Sequence, residues 1–193
     1  KLSTAQAAAL TSTQLGALST AQISYMNATN CIAFLSTAAI GAIGSAGVNA
    51  LNTTQLYALT SAQVGALGTA ALSGITTAQV STVLDSDDIS SLGTASVVIL
   101  SSAHIAALST AQIGVLSTNV ITNLTTAQLS GLSSAQIAAF TSAQVSSLSV
   151  TQLASLSAEQ AGGFEAADVS GLSSTQLNGM ADDALYALGT AQV

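Results

Sequence analysis

The chain has 193 residues, and 49% of them are apolar, enough for a sizeable core, yet only 5% are charged and Pro and Trp are absent. Lys1 is the one basic residue against eight acidic ones, for a net charge of −7; no basic patch exists to neutralise a phosphate backbone, which excludes nucleic acid as a partner. Ser, Thr, Asn or Gln interrupts the apolar residues every few positions, so no run approaches the roughly 20 apolar residues of a membrane-spanning helix, and a trypsin-like protease finds no Lys or Arg beyond residue 1.

From its first residues the sequence repeats. Gln6, Gln14 and Gln22 fall on an eight-residue grid. A one-residue insertion near Phe34 moves the grid to Gln55, Gln63 and Gln79, and a second near Val83 moves it to Gln112, Gln128, Gln136, Gln144, Gln152, Gln160, Gln176 and Gln192. Residues 1–193 therefore read as a single repeat array with two register shifts, and a short period of this kind is the sequence signature of a solenoid. The chain enters at Lys1-Leu2-Ser3 and stops inside a unit at Gln192-Val193, with no initiator Met and no signal-peptide apolar region, which reads as a processed product or part of something longer.

Aligned on this period, each unit opens on a large apolar residue: Leu2, Leu10, Leu18, Met26, Leu35, Ile43 and so on to Leu188, with Phe140, Phe164 and Met180 among the variations. Five positions later comes a second apolar column, including Leu15, Ile23, Cys31, Ile40, Val48, Ile105 and Ile113. Neither a single straight strand nor one continuous helix keeps both columns on one face at this spacing. Short, restarted helices do. In Leu108-Ser109-Thr110-Ala111-Gln112-Ile113, Ser109 is placed to cap a helix and Gln112, three positions on, to reach back to it: a capping box, with Leu108 and Ile113 as the flanking hydrophobic staple. The same grammar recurs at Leu18–Ile23, Leu59–Val64 and Leu132–Ile137.

Each unit is therefore expected to be a helix of about two turns, renewed by a new cap every eight residues. Helices so short do not persist alone, so stability must come from stacking, with Ala, Gly and Ser allowing close backbone approach. The expected fold class is an all-α solenoid of very short helices. A β-solenoid is the alternative, because Thr, Val and Ile are common.

Few residues break the pattern. Cys31 stands in the second apolar column as a small buried hydrophobe, and a single cysteine supplies neither an internal disulfide nor a metal site. Asn27-Ala28-Thr29, Asn52-Thr53-Thr54 and Asn123-Leu124-Thr125 match the N-glycosylation pattern, which a Ser/Thr-rich chain meets often by chance. Asp85, Asp87 and Asp88 form the densest acidic cluster and are a candidate calcium site, although the glycine and distal glutamate of an EF-hand loop are missing. Asp85 in the cap position and Asp88 in the Gln position account for two of them. His104 stands in the Gln column after Ser101, where it reads as a substitute cap partner. Glu159, Glu165, Asp168, Asp182 and Asp183 read as solvated acids at helix starts.

The run Leu-Ser/Thr-Thr-Ala-Gln-Ile/Val, closest at Leu108–Ile113 and Leu124–Leu129, resembles the LTTAQ-type tandem repeats of large bacterial secreted and surface proteins, often labelled adhesin-like or haem-utilisation-like. The resemblance covers essentially the whole chain and implies an extracellular, elongated, structural role. It carries over no catalytic residues and no cofactor. The haem association finds nothing to bind through, with one His and no Cys-x-x-Cys-His.

The function expected from these readings is a structural subunit or segment of an extracellular fibre, sheath or adhesin stalk, self-associating through its sides or ends and attached at a cell surface. Low charge opposes lateral packing little. The alternative is a surface-binding module presenting Ser and Thr rows to ice, carbohydrate or a mineral. An enzyme is not expected, because no nonrepeating polar cluster stands ready to host a reaction.

Overall fold

The computed structural model describes residues 2–82 and 84–189, the side chain of Thr82 excepted. Among these residues the chain forms twenty-two α-helices of four to six residues, one 3₁₀ turn at Ile32–Phe34, and no strand. The all-α solenoid class holds, and the β-solenoid has no support.

The helices begin where the caps predict. Ser109 lies in extended backbone (φ −70°, ψ 162°) and its hydroxyl accepts from the Gln112 N–H at 3.3 Å, while the Gln112 side chain accepts from the Ser109 N–H at 2.6 Å. The same reciprocal pair closes Ser3/Gln6, Asn52/Gln55, Thr60/Gln63, Ser133/Gln136 and Ser157/Gln160. Where the column holds an aliphatic residue after a Ser cap, as at Ala39 and Val120, only half of the box forms.

The helices are shorter than the two turns expected, and the backbone shows why. The leading residue is itself extended, as at Leu92 (φ −69°, ψ 129°) and Leu124 (φ −62°, ψ 136°), and the cap residue that follows is extended again. Two extended residues in every eight turn the chain and leave little more than one helical turn. No described residue has a positive φ, so the corners are made without the left-handed glycine that ends many helices.

The chain divides into two compact units, Lys1–Leu100 and Ser101–Val193. In each, helices pack on the third element along, so three octads make one turn of a three-sided coil. In the first unit one side stacks Ser12–Gly16, Thr37–Ile40, Ser61–Gly65 and Ser86–Ser91, and another stacks Thr20–Ser24, Ser45–Ala50, Thr69–Leu72 and Thr94–Val98. In the second unit Ser102–Ala106, Thr126–Ser130, Val150–Ala154 and Ser174–Asn178 form one side, and Thr110–Gly114, Ser134–Ala138, Ala158–Ala161 and Asp182–Ala187 another.

Both apolar columns run through the interior. Val64, Val80, Ile105, Leu129, Ile137 and Leu153 of the second column are wholly buried, and leading residues from Met26 onward are buried with them. Coils approach closely enough to require glycine in places. A β-carbon on Gly74 would fall against the carbonyl of Ser45 in the preceding coil, and one on Gly163 would sit 2.7 Å from the Ser134 carbonyl.

The register shift near Phe34 is visible as a change of structure. Between Met26 and Leu35 the nine-residue unit holds no α-helix, only a turn in which the Cys31 and Ile32 N–H groups share the Asn27 carbonyl, followed by the 3₁₀ turn. The shift near Val83 lies outside the described residues.

Candidate functional site

The column of glutamines is the chemically distinctive feature of the interior. Each carries an acceptor and two donors on one amide, and the fold uses both kinds. Gln144 accepts from the Thr141 N–H through Oε1 at 2.7 Å, capping its own helix, and donates through Nε2 to Ile113 at 3.1 Å and Leu116 at 2.6 Å in the preceding coil. Those two carbonyls lie at and just beyond the end of helix Thr110–Gly114, where the last carbonyls lack intrahelical partners. One side chain therefore closes the start of one helix and the end of another.

The arrangement repeats in both units. Gln55 donates to Ile23, Ser24 and Met26, and Gln63 to Ile32 and Leu35. Gln152 donates to Ile121 and Leu124, Gln160 to Leu129 and Leu132, and Gln176 to Ser146 and Leu148. The leading-residue carbonyl is 28 residues back in these pairs outside the first register shift, and 29 at Gln55, which spans it. A capping box alone would accept Glu as readily as Gln. The chain holds only two Glu, neither of them in this column, and Asp enters it at Asp88 and Asp168, so the sequence carries no separate signal for the second role.

The exceptions keep the cap and change the cross-coil bond. Asp168, buried, accepts from the Glu165 N–H at 2.9 Å and from the Ser142 hydroxyl, 26 residues back, at 2.8 Å. A carboxylate cannot donate to a carbonyl, so it recruits a hydroxyl instead. Asp88 does the same: it exchanges bonds with Asp85 and takes a side-chain hydrogen bond from Ser61. Burial pushes the Asp88 carboxyl above its ordinary range, against the lowering effect of the Asp85 N–H and Ser61.

The remaining sequence candidates fall as follows. Asp85 caps Ser86–Ser91, Asp88 closes that box from within, and Asp87 is exposed in its first turn. Among the described residues, no three His, Cys, Asp or Glu side chains come together as a metal-binding group. Nδ1 of His104 faces the Ser101 N–H at 3.2 Å and the Ser101 hydroxyl at 2.9 Å, the position that Gln Oε1 takes elsewhere. Cys31 is buried, and burial raises its thiol above the usual range. Glu159, Asp182 and Asp183 are exposed in first turns, as expected, and Glu165 stands at a cap position; Asp168, expected to be solvated, is instead buried, because its place in the Gln column faces the preceding coil. Asn27 and Asn52 accept from the N–H groups of Asn30 and Gln55, and Asn123 donates to the Asn119 carbonyl.

A cavity of about 1010 Å³ lies in the first unit beside the irregular nine-residue segment, with Gln6, Gln22, Cys31 and Asn52 in its lining and Tyr25, 89% exposed, at its edge. Among the described residues, no charged side chain lines it.

Short capped helices, stacked three to a coil and tied by an amide column, define a helical tandem-repeat protein. The chain belongs to the ALTTAQ repeat family, which matches residues 32–61, 82–118 and 121–150, just over half of the chain. No curated protein and no solved structure matches it.

Proposed function

We propose that this chain is a structural segment of an extracellular fibre, sheath or adhesin stalk that associates with itself. The observation that carries this reading is where the polar chemistry goes: the buried amides of Gln55, Gln63, Gln144, Gln152 and Gln160 are spent at both ends on tying helix to helix. A residue selected for architecture uses its hydrogen-bonding capacity inward. A surface with few charges then meets another copy with little repulsion.

Secretion and attachment at a cell surface belong to the same proposal. They rest on the scarcity of basic residues, which withholds trypsin-like cleavage sites. No helix among the described residues is long and apolar enough to cross a membrane.

Electron microscopy of the purified 193-residue chain at physiological salt tests the reading. Filaments or sheets with a regular mass per length are expected; dispersed monomers at high concentration overturn it. The competing role, recognition of ice, carbohydrate or mineral by exposed hydroxyls such as Thr110, Thr118 and Thr126, predicts thermal hysteresis or retention on the solid ligand by the monomer.

A further inference from the structure

The cross-coil bonds do not tie the three corners of the first unit equally. The corner after Thr20–Ser24 and Ser45–Ala50 is tied by Gln55, which donates to Ile23, Ser24 and Met26, and by Gln79, which donates to Leu51 at 3.1 Å. The next corner is tied by Gln63, which donates to Ile32 and Leu35, and by Asp88, which accepts from Ser61. At the third corner, which leads into Ser45–Ala50, Thr69–Leu72 and Thr94–Val98, the glutamine position holds Gly47, Ala71 and Ser96 in three successive coils. Among the described residues, none of these three makes a side-chain hydrogen bond to the coil before it.

The same three helices lack the local half of the box as well. Their caps are Gly44, Gly68 and Gly93, extended at φ −78°, −74° and −68°, with no side chain to accept from the first turn. Packing does not demand glycine there: a β-carbon on any of the three would meet nothing within 4 Å, and none has a positive φ. The far ends are held. Asn49 donates to the Gly74 carbonyl at 3.2 Å, just past the end of Thr69–Leu72, and Gln79 holds Leu51, just past the end of Ser45–Ala50. In the second unit all three corners are tied, by Gln144 and Asp168, by Gln152 and Gln176, and by Gln136 and Gln160.

We infer that this corner is an opening seam: the first turns of Ser45–Ala50, Thr69–Leu72 and Thr94–Val98 swing out and reclose in the folded chain, while the helices of the second unit stay shut. What moves is small. Ser45, Ala46, Thr69 and Ala70 are already exposed, and only Gly47, Ala71 and Ser96 leave the interior, so opening bares little apolar area. Opening a helix start that carries a glutamine gives up a cap and a buried amide as well. Val48, Leu72 and Val97, wholly buried, stay in the core as the hinge. The seam makes the first unit the compliant one under bending or tension and leaves the second unit stiff.

This goes beyond the self-associating reading and does not depend on it, because a lone chain has the same seam. Amide hydrogen exchange of the full 193-residue chain, followed by NMR, tests it on a matched set. Val48, Leu72 and Val97 at the seam and Leu56, Val64 and Val145 at tied corners all occupy the fourth helical position. All six are 0–3% exposed and donate to the cap carbonyl at 2.9–3.2 Å. Cap and column side chains set the two groups apart. Two variants exchange those side chains. Gly68→Ser with Ala71→Gln supplies a hydroxyl and an amide, and the register of 28 and 31 residues seen at Gln63 brings the Ile43 and Ile40 carbonyls to that amide. Thr141→Gly with Gln144→Ala removes both groups from a tied corner, and circular dichroism reports the fold of each variant.

In the wild type, the Val48, Leu72 and Val97 amides are expected to exchange about tenfold faster or more than their three counterparts. The tying variant should slow Leu72 by a similar factor. The untying variant should speed Val145 and leave Val48 unchanged. Equal rates at all six amides of the wild type overturn the seam. So does a Val145 amide that does not respond to the loss of its cap and glutamine, since the side-chain bonds would then not be what holds a helix start closed. Should the tying variant fail to fold, the wild-type comparison and the untying variant decide the question between them.

Discussion

The side-chain amide of Gln144 donates to the backbone carbonyl of Leu116 at 2.6 Å across 28 residues of sequence, while its oxygen caps the helix on which it sits. These are two separable contributions. Gln144→Glu keeps the cap and deletes the donor, setting a carboxylate against the carbonyls of Ile113 and Leu116, and a loss of about 1–3 kcal/mol is expected. The same change at exposed Gln14, whose donor meets solvent, should alter stability of the isolated chain by less than about 0.5 kcal/mol. Urea denaturation of the two variants measures the difference. Equal effects at the two positions would show that the cross-coil bond contributes nothing.

Asp168 gives the converse. It is a buried carboxyl group whose bonds run to a hydroxyl and an N–H, with no cation beside it among the described residues. Asp168→Gln restores the amide of the column and can donate to the end of the helix in the preceding coil, at the loss of the Ser142 bond. A gain of about 1 kcal/mol is expected, read as a higher urea midpoint. A lower midpoint would show that the Ser142 contact is worth more than the amide it replaces.

Glycine positions separate close packing from caps. Gly74→Ala drives a methyl group into the Ser45 carbonyl of the neighbouring coil and should cost about 1–3 kcal/mol. Gly93, a cap residue with open space around its α-carbon, should gain a few tenths of a kcal/mol on change to Ser, which supplies the missing hydroxyl. Thermal melts followed at 222 nm compare the pair, and opposite signs are the expected outcome.

The Asp88 carboxyl is raised by burial, with Asp85 and Asp87 adding repulsion and the Asp85 N–H and Ser61 opposing it. The folded chain therefore keeps a proton at a pH where the unfolded chain has lost it. The stabilising contribution is full below the ordinary value of 3.8 and is lost as pH rises through the folded value. Asp88→Asn removes this dependence. Between about pH 3 and 7 the melting temperature of the wild type, measured relative to the Asn variant, should fall as pH rises. A flat difference would mean that the side chain titrates as if it were in water.

Ser109 and Gln112 show what the sequence by itself determined. Their contact spans three residues, depends on local geometry alone, and made the helix start readable before any fold was known; so did the burial of Leu108 and Ile113, which the period of eight places in columns. His104 as a cap partner and Asp88 in the Gln position were legible for the same reason. The number of octads in a coil was not, because it depends on the angle through which two extended residues such as Leu124 and Thr125 turn the chain, and on which helices then meet. Only that closure brings Leu116 under Gln144 and Ser142 under Asp168. The octad specifies a helix that starts correctly, and the tertiary structure decides what its glutamine holds, since a side-chain donor has no preferred partner until the coil carries a carbonyl within reach.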